Sequence, residues 1–208
     1  GQRRPDLEGP LAVLADDGGF DLGSDQYLVP AADFAKRPDG WGATLSPDGK
    51  HVAMEVPTAD NRETQVLIVT LDGSGKTQTL RFGPMEHSAG VTWTTDDRIV
   101  VSRGILNAFW KRPRQTGELF VSGIDGKGGR MMFGYNSNFR DHGWADLNRT
   151  LPDEPGMVLV DFTCWNCGEE PDSVVYKVDT RKNERHEIER FEGRASFSFD
   201  RTGEARVR

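Results

Sequence analysis

Aspartate-containing turns recur along this sequence of 208 residues. The stretches LSPDGKHVAM, WTTDDRIVV, TLPDEPGMVLV and FSFDRTGEARV each place an aspartate just before a β-rich run, and these aspartates are Asp48, Asp96, Asp153 and Asp200. A second set of turn aspartates lies between them: Asp72, Asp125 and Asp179. A period of roughly 50 residues with turns at regular positions is typical of the blades of a β-propeller.

Each repeat unit is predicted to contain four short antiparallel strands, which we letter a to d in chain order. The predicted strands are residues 42–45, 50–56, 65–71 and 77–82 in the first unit and residues 90–93, 98–103, 118–124 and 130–133 in the second. In the third unit they are residues 144–147, 156–162, 173–178 and 185–188, and a fourth unit begins at residues 194–199. The predicted fold is all-β: a partial β-propeller of about three and a half four-stranded antiparallel blades, with a short N-terminal extension and helix.

The predicted domain division places the N-terminal extension and helix at residues 1–38 and the partial propeller at residues 39–208. The blades are predicted at residues 39–84, 88–134, 142–190 and 194–208, the last of them truncated. The runs QVLIVTL and GMVLVDF are nearly continuous in apolar residues, which suits strands covered on both faces by neighbouring blades. A ring of this size does not close, so the chain is either a fragment or closed by another copy, and its open edges favour self-association.

The stretch LDGSGKTQTL at residues 71–80 contains Gly-Ser-Gly-Lys-Thr, which resembles the end of a phosphate-binding loop. Such a loop needs a glycine five residues before Gly75, but Thr70 occupies that position. It also needs a following helix, whereas Thr77, Thr79 and Leu80 favour a strand. The sequence therefore predicts a glycine-rich turn between strands c and d rather than a nucleotide site.

Charge and hydropathy limit the classes of partner. The formal net charge of −7 argues against nucleic acid as the main partner. No apolar run is long enough to span a membrane. The start, GQRRPDLEG, is polar and does not read as a secretory signal, and we interpret it as a mature terminus. No motif predicts a cofactor or a metal site.

The two cysteines, Cys164 and Cys167, lie in TCWNCGEE. A redox-active pair would need a helix after the first cysteine, but Gly168 and Pro171 follow instead. A zinc site would need two more ligands nearby. The preferred interpretation is a local disulfide, which fits a periplasmic or secreted protein; free thiols, with a cytoplasmic location, remain the alternative.

The stretch VPAADFAKRPDGWGATLSPDGKHVAM at residues 29–54 resembles the entry to the N-terminal propeller of prolyl oligopeptidase-family serine peptidases, such as acylaminoacyl peptidases and dipeptidyl aminopeptidases. The resemblance lies in a helix containing Asp33 and Phe34, followed by a first inner strand and the turn SPDGK. It implies that the propeller gates the access of oligopeptide substrates to a C-terminal α/β-hydrolase domain of the same full-length chain.

The catalytic domain of that family carries a serine in G-x-S-x-G, then an aspartate and a histidine. This motif is absent here, since the glycine pair is missing around Ser24, Ser74, Ser88, Ser122 and Ser137. The four histidines lie in ordinary strand or loop contexts. We therefore assign no catalytic residue to this chain and expect it to be inactive by itself, whereas its full-length parent would be a serine-type peptidase.

The connections between strands b and c are longer than the a–b and c–d turns and contain more charged and aromatic residues. The face that carries them is therefore the candidate binding face. Trp110, Lys111, Arg112 and Arg114 form a basic aromatic cluster that would hold a peptide carboxylate or the acidic groups of a partner, or would be a solvated loop. Trp165 is a candidate interface anchor, or a lid over its own blade.

Glu169 and Glu170 resemble the paired glutamates with which dipeptidyl-peptidase members of the family bind a substrate amino terminus, although the surrounding sequence differs. The alternative is an exposed acidic turn. Two other functions remain open for the whole chain. It could be a stand-alone TolB-like propeller that binds a protein partner, or an unrelated β-sandwich or enzyme in its own right.

Overall fold

The computed structural model describes residues 39–207, and every regular element in that part of the chain is a β-strand. The first blade contains β1 (Trp41–Leu45), β2 (His51–Pro57), β3 (Thr64–Thr70) and β4 (Thr77–Leu80). The second contains β5 (His87–Thr95), β6 (Arg98–Ile105), β7 (Arg114–Gly123) and β8 (Arg130–Phe133). The third contains β9 (Gly143–Thr150), β10 (Met157–Cys164), β11 (Ser173–Asp179) and β12 (Glu184–Phe191). A short antiparallel pair follows, β13 (Ser198–Phe199) and β14 (Ala205–Val207).

The prediction of an all-β, partial propeller-like fold is confirmed, and the sheets do not close into a ring within residues 39–207. Strand ends differ from the predicted ones where pairing continues further than propensity suggests. β7 begins at Arg114 rather than Glu118, because Arg114 and Gln115 pair with Ile105 and Gly104 of β6. The predicted N-terminal extension and its helix lie outside the described residues, so the domain boundary at residue 38 stays a prediction.

Aspartate side chains stabilise most of the predicted turns. In five of them, Oδ1 accepts a hydrogen bond from the backbone N–H two residues later, at 2.8–3.1 Å; these are Asp48, Asp72, Asp125, Asp179 and Asp200. This is the Asx-turn geometry, which orders a turn without a long loop. In the second blade, neither Asp96 nor Asp97 accepts such a bond from a described residue; Asp97 instead accepts from Thr95 Oγ1 at 2.7 Å. Asp153 makes no such bond with the described residues.

The glycine-rich stretch that resembled a phosphate loop connects β3 to β4. Asp72 accepts the N–H of Ser74 at 2.8 Å within it, and Gly73 and Gly75 adopt the positive φ values of 79° and 67° that the turn requires. Because a strand follows instead of a helix, no helix N-terminus is present to hold a phosphate.

Alternate side chains along the inner strands pack against different neighbouring blades. In β6, Ile99 and Val101 belong to an apolar cluster with first-blade residues, whereas Val100 belongs to a cluster with third-blade residues. In β10, Val160 faces the second blade and Leu159 packs with Phe197 on the other side. Successive side chains of a strand point to opposite faces, so a nearly continuous apolar run is buried on both sides.

A single parallel bridge joins the first two blades. Thr64, at the start of β3, pairs with His87, at the start of β5, and the Thr64 N–H donates to the carbonyl of Glu86 at 3.3 Å. The short strand β4 pairs only with residues 66–69 of β3, which leaves the edge of Thr64 free for this contact. The first two blades therefore form one eight-stranded sheet, while the third is a separate four-stranded sheet. This bridge was not among the features predicted from the sequence.

Candidate binding face

Antiparallel strands place the b–c and d–a connections at one end of every blade, and we call this end the b–c face. Eleven large hydrophobic side chains are exposed among the described residues; Leu45, Leu71 and Ile188 lie elsewhere, which leaves eight on the b–c face. These eight are Met85, Ile105, Phe109, Tyr135, Phe139, Trp144, Trp165 and Phe191. Such a concentration of apolar groups is typical of a surface that another molecule covers.

The b–c connection of the second blade, residues 106–113, is ordered by local hydrogen bonds. Asn107 accepts the N–H of Trp110 on its carbonyl at 3.0 Å and the N–H of Phe109 on Oδ1 at 3.1 Å. Arg114, which the sequence placed in this loop, is the first residue of β7. The turn leaves the side chain of Phe109 92% exposed, so the connection presents both aromatic and cationic groups to solvent.

Two arginines of this region lie over tryptophan rings. The Arg114 guanidinium carbon is 4.5 Å from the ring centroid of Trp110, and that of Arg112 is 5.6 Å from the ring centroid of Trp41. The structure thus brings together Trp110, Arg112 and Arg114 as predicted candidates and adds Trp41 from β1. The sequence analysis did not single out Trp41, because no local pattern connects the first strand of one blade to the b–c connection of the next.

A buried carboxylate belongs to Glu55, the cross-strand partner of Trp41. Glu55 of β2 is 4% exposed, and its Oε1 atom forms no hydrogen bond with a described residue. Burial raises the pKa of Glu55. Four groups oppose this rise: the Ser88 hydroxyl, the Gly90 N–H, the Trp41 indole and the Arg112 charge. None of them forms a full hydrogen bond with Oε1. Glu55 was not among the predicted site residues, although a lone glutamate inside the apolar run HVAMEV was an available signal.

Room for this carboxylate comes from Gly42. The β1–β2 pairing shifts register between Trp41 and Thr44, and Gly42 adopts a φ of 63° there. A Cβ atom at Gly42 would lie 2.6 Å from Oε2 of Glu55. A bulge with glycine in the left-handed region is what permits so close an approach.

The b–c connection of the third blade, residues 165–172, begins at a disulfide. Cys164 and Cys167 are bonded to each other, with Cα atoms 5.7 Å apart. The Trp165 N–H donates to the His142 carbonyl at 2.9 Å, and its side chain is 59% exposed. Trp165 makes no ring contact with the described residues, so its indole lies open on the b–c face.

Glu169 and Glu170 lie further along this connection, and both are exposed. Neither side chain forms an ion pair or hydrogen bond with a described residue. No hydrogen bond, ion pair or ring contact between residues 39 and 207 joins this connection to residues 106–113. The predicted candidates therefore fall into two separate groups, Trp110 with Arg112 and Arg114 on the second blade, and Trp165 with Glu169 and Glu170 on the third.

A buried ion pair between Asp141 and Arg185 connects the 134–142 connection to β12 of the third blade. Arg185 Nη2 donates to Asp141 Oδ1 at 2.7 Å, and the two side chains are 13% and 4% exposed. Ser137 Oγ donates to the other oxygen of Asp141 at 2.8 Å. Three aromatic rings surround the guanidinium, with centroids 3.8–4.9 Å from its carbon: Phe133, Phe139 and Tyr176. This network holds the connection rigidly beside the disulfide.

A cavity of about 490 Å³ opens next to this network; its walls are formed by Phe139, Arg140, Asp141, His142, Phe162, Cys164, Asn166 and Cys167. No group of three or more metal-ligating side chains occurs between residues 39 and 207. In the same part of the chain, no serine hydroxyl hydrogen-bonds a histidine ring. Nothing in residues 39–207 forms a helix that could cross a membrane.

This chain is a propeller-type domain. It consists of stacked four-stranded antiparallel sheets, and the longer connections and most exposed aromatic side chains lie on one face. No family model matches it, and no curated protein does. Among solved structures, it is similar to oligogalacturonate lyase in complex with manganese, at 10% identity and a TM-score of 0.54, over 79% of this chain and 45% of the lyase chain. It is also similar to acylaminoacyl peptidase in complex with Z-Gly-Gly-Phe-chloromethyl ketone, at 13% identity and a TM-score of 0.43, over 74% of this chain and 25% of that one.

The chain thus spans less than half of either protein. At 10% identity, the likeness to the lyase supports the propeller fold and nothing about activity. The likeness to the peptidase has a lower TM-score and carries no argument.

Proposed function

We propose that this chain is the non-catalytic propeller region of a serine peptidase that hydrolyses oligopeptides. In this proposal the propeller gates the access of substrates to an α/β-hydrolase domain of the same full-length chain. The first support is the resemblance of residues 29–54 to the propeller entry of prolyl oligopeptidase-family peptidases. The second is a fold that offers a binding face, together with a sequence that lacks the nucleophile motif of the catalytic domain.

The observation that carries the proposal is the apolar character of the b–c face. Eight exposed large hydrophobic side chains lie there, and Phe109 and Tyr135 are among the most exposed. Covering apolar surface contributes about 25 cal/mol per Å², so a domain that packs on this face would be stabilised by it. Trp165 and Trp144 would then serve as interface anchors, because indole rings combine large area with a polar N–H.

Gating follows from the rigidity of the blades. Apolar clusters between successive blades hold their relative positions, so the connections at the b–c face would form a fixed rim. A rim of this kind would admit flexible oligopeptides and exclude folded proteins. We further propose a periplasmic or secreted location, because an exposed disulfide persists in oxidising compartments. Cell fractionation with an antibody against the chain tests this location, and a cytoplasmic signal alone would contradict it.

The full-length gene product tests the peptidase proposal. We expect the coding sequence after Arg208 to contain G-x-S-x-G followed by an aspartate and a histidine. The full-length protein should react with a fluorophosphonate probe and hydrolyse a short peptide anilide, while the 208-residue chain does neither. A downstream sequence without this motif, or hydrolysis by the 208-residue chain, would show that the proposal is wrong.

A stand-alone binding propeller is the second candidate function. It is favoured by the stacked arginines of the second blade, which form a recognition surface without needing a catalytic domain. In that case the coding sequence ends once the ring closes, and affinity capture returns a protein partner. Open sheet edges would also allow self-association, which sedimentation velocity at increasing protein concentration would detect as a rising average mass.

A further inference from the structure

Cations without acidic partners are concentrated at the b–c connection of the second blade. Lys111, Arg112 and Arg114 form no ion pair with a described residue, although the chain as a whole carries a net charge of −7. Five other arginines of the described residues form ion pairs; among them, Arg81 binds Glu63 and Arg185 binds Asp141. Local positive charge in an acidic chain attracts anions, and no carboxylate between residues 39 and 207 lies within ion-pair distance of these three cations.

Among residues 39–207, the two guanidinium groups have no hydrogen-bond acceptor. Neither Arg112 nor Arg114 donates a side-chain hydrogen bond to a described residue. Their positions over Trp41 and Trp110 come from the ring face, which attracts a cation but does not occupy the N–H groups in the guanidinium plane. The arginines are therefore held in place while no residue between 39 and 207 occupies their donors.

Glu55 is the cross-strand partner of Trp41, the residue over which Arg112 lies. Its buried carboxylate is close enough to both residues for each to act on it electrostatically, and Oε1 has no hydrogen-bond partner among the described residues. A buried negative charge attracts the nearest cation, and Arg112 is the cation that acts on it. Glu55 is thus a positioning residue for Arg112 and needs no contact of its own with a ligand.

We propose that Arg112 and Arg114 form a binding site for the carboxylates of an acidic peptide. The planar fork of a guanidinium matches the two oxygens of a carboxylate, so each arginine offers a bidentate contact. Phe109, exposed on the same connection, supplies apolar contact for a neighbouring side chain of the peptide. This inference does not rest on the peptidase proposal, because either a gated peptidase or a stand-alone propeller could use the site.

The test is calorimetric titration of the 208-residue chain with an acetylated, amidated peptide that contains four glutamates and one phenylalanine. The matched peptide has glutamine in place of each glutamate. We expect saturable binding of the glutamate peptide and at least about tenfold weaker binding of the glutamine peptide, since charge-assisted hydrogen bonds are the stronger type. Tighter binding of a peptide with four phosphoserines would overturn the assignment to carboxylates. Equal binding of both original peptides, or none, would overturn the site.

Variants locate the site on the chain. Arg112→Gln and Arg114→Gln should each weaken binding about tenfold, and Arg112→Lys about fivefold, because lysine keeps the charge but loses the fork. Arg62→Gln removes the same charge from the exposed b–c connection of the first blade and should change affinity less than about twofold. An equal effect of Arg62→Gln would mean nonspecific attraction and would overturn the proposal. Thermal unfolding of each variant confirms that it folds.

Glu55→Gln tests the positioning role. It removes the charge that holds Arg112 and should weaken peptide binding about threefold, by loosening the guanidinium. The same substitution should stabilise the fold, because it removes a buried charge. Affinity and stability therefore move in opposite directions, which a merely structural role would not produce. Unchanged affinity in a stabilised Glu55→Gln variant would contradict this role for Glu55.

Discussion

Thr64 Oγ1 lies 3.0 Å from Nδ1 of His87 where the first two blades share a parallel bridge. Both side chains are buried, and burial lowers the pKa of His87, although the charges of Glu86 and Glu63 oppose that change. In the neutral ring, Nδ1 can accept a hydrogen bond that the Thr64 hydroxyl donates. The bond ties the edge of one blade to the first strand of the next, at the point where the two sheets become one.

Stability should fall as His87 is forced to accept a proton. Because its folded pKa is lowered, its contribution is present above the ordinary value of 6.5 and is lost as the pH falls through the lowered pKa. We expect the free energy of unfolding, measured with urea at pH 7, 6 and 5, to fall less steeply in His87→Gln than in the unchanged protein. His186→Gln, at an exposed position on β12, should keep the original slope. Identical slopes for all three proteins would contradict the role of His87.

Glu55 has the opposite pH dependence. Its folded pKa is raised, so its contribution is fully present below the ordinary value of 4.5 and is lost as the pH rises through the raised pKa. At pH 7 the buried carboxyl group destabilises the fold relative to low pH, and Glu55→Gln should increase the free energy of unfolding by about 1 kcal/mol. The difference should shrink as the pH approaches 4.5. Glu169→Gln, at an exposed carboxylate, should change stability by less than about 0.5 kcal/mol; a destabilised Glu55→Gln variant would refute the prediction.

Removing the charge of Asp141 should destabilise the protein strongly. Asp141→Asn leaves the guanidinium of Arg185 buried among aromatic rings without its carboxylate, at a cost of about 3 kcal/mol. The matched control is Asp97→Asn, which breaks the more exposed ion pair with Arg181 and should cost less than about 1 kcal/mol. Urea unfolding of the two variants decides the matter. Equal losses would mean that burial does not determine the strength of the Asp141 pair.

The Cys164–Cys167 disulfide should contribute modestly to stability. It closes a very short loop, for which chain entropy predicts a contribution of about 2 kcal/mol. Reduction with a phosphine should lower the thermal midpoint of the unchanged protein. A variant with Cys164→Ser and Cys167→Ser should have the lowered midpoint from the start and should not respond to the reductant. If the phosphine shifts both proteins equally, the effect does not come from this disulfide.

Much of the fold could be predicted because each blade is specified locally. Asp72 and Asp125 mark c–d turns, and the alternating sides of Ile99 and Val100 follow from strand geometry alone. The Thr64–His87 bridge could not be predicted in this way. It depends on where β4 stops pairing with β3, and neither residue carries a local signal for a partner in another blade.

The candidate site was predictable in part. The sequence pointed to Trp110, Arg112 and Arg114 because they cluster in one connection. It gave no indication that Arg112 lies over Trp41 and acts on Glu55, since these residues come from a different blade. It also did not separate the second-blade group from Trp165 and the glutamates of the third blade, because closeness along the chain says nothing about distance across a face.

The sequence by itself determined the blade period, the strands and the turns, because these depend on hydrogen bonds and side-chain alternation within a few residues. Only the tertiary structure decided which buried charges gain partners. Asp141 forms an ion pair with Arg185. Glu55 has no hydrogen-bond partner at Oε1 among the described residues, and it interacts electrostatically with Arg112, which lies over Trp41. Such pairings require residues from different strands and connections to meet at a few ångströms, and that distance is fixed by how the blades pack.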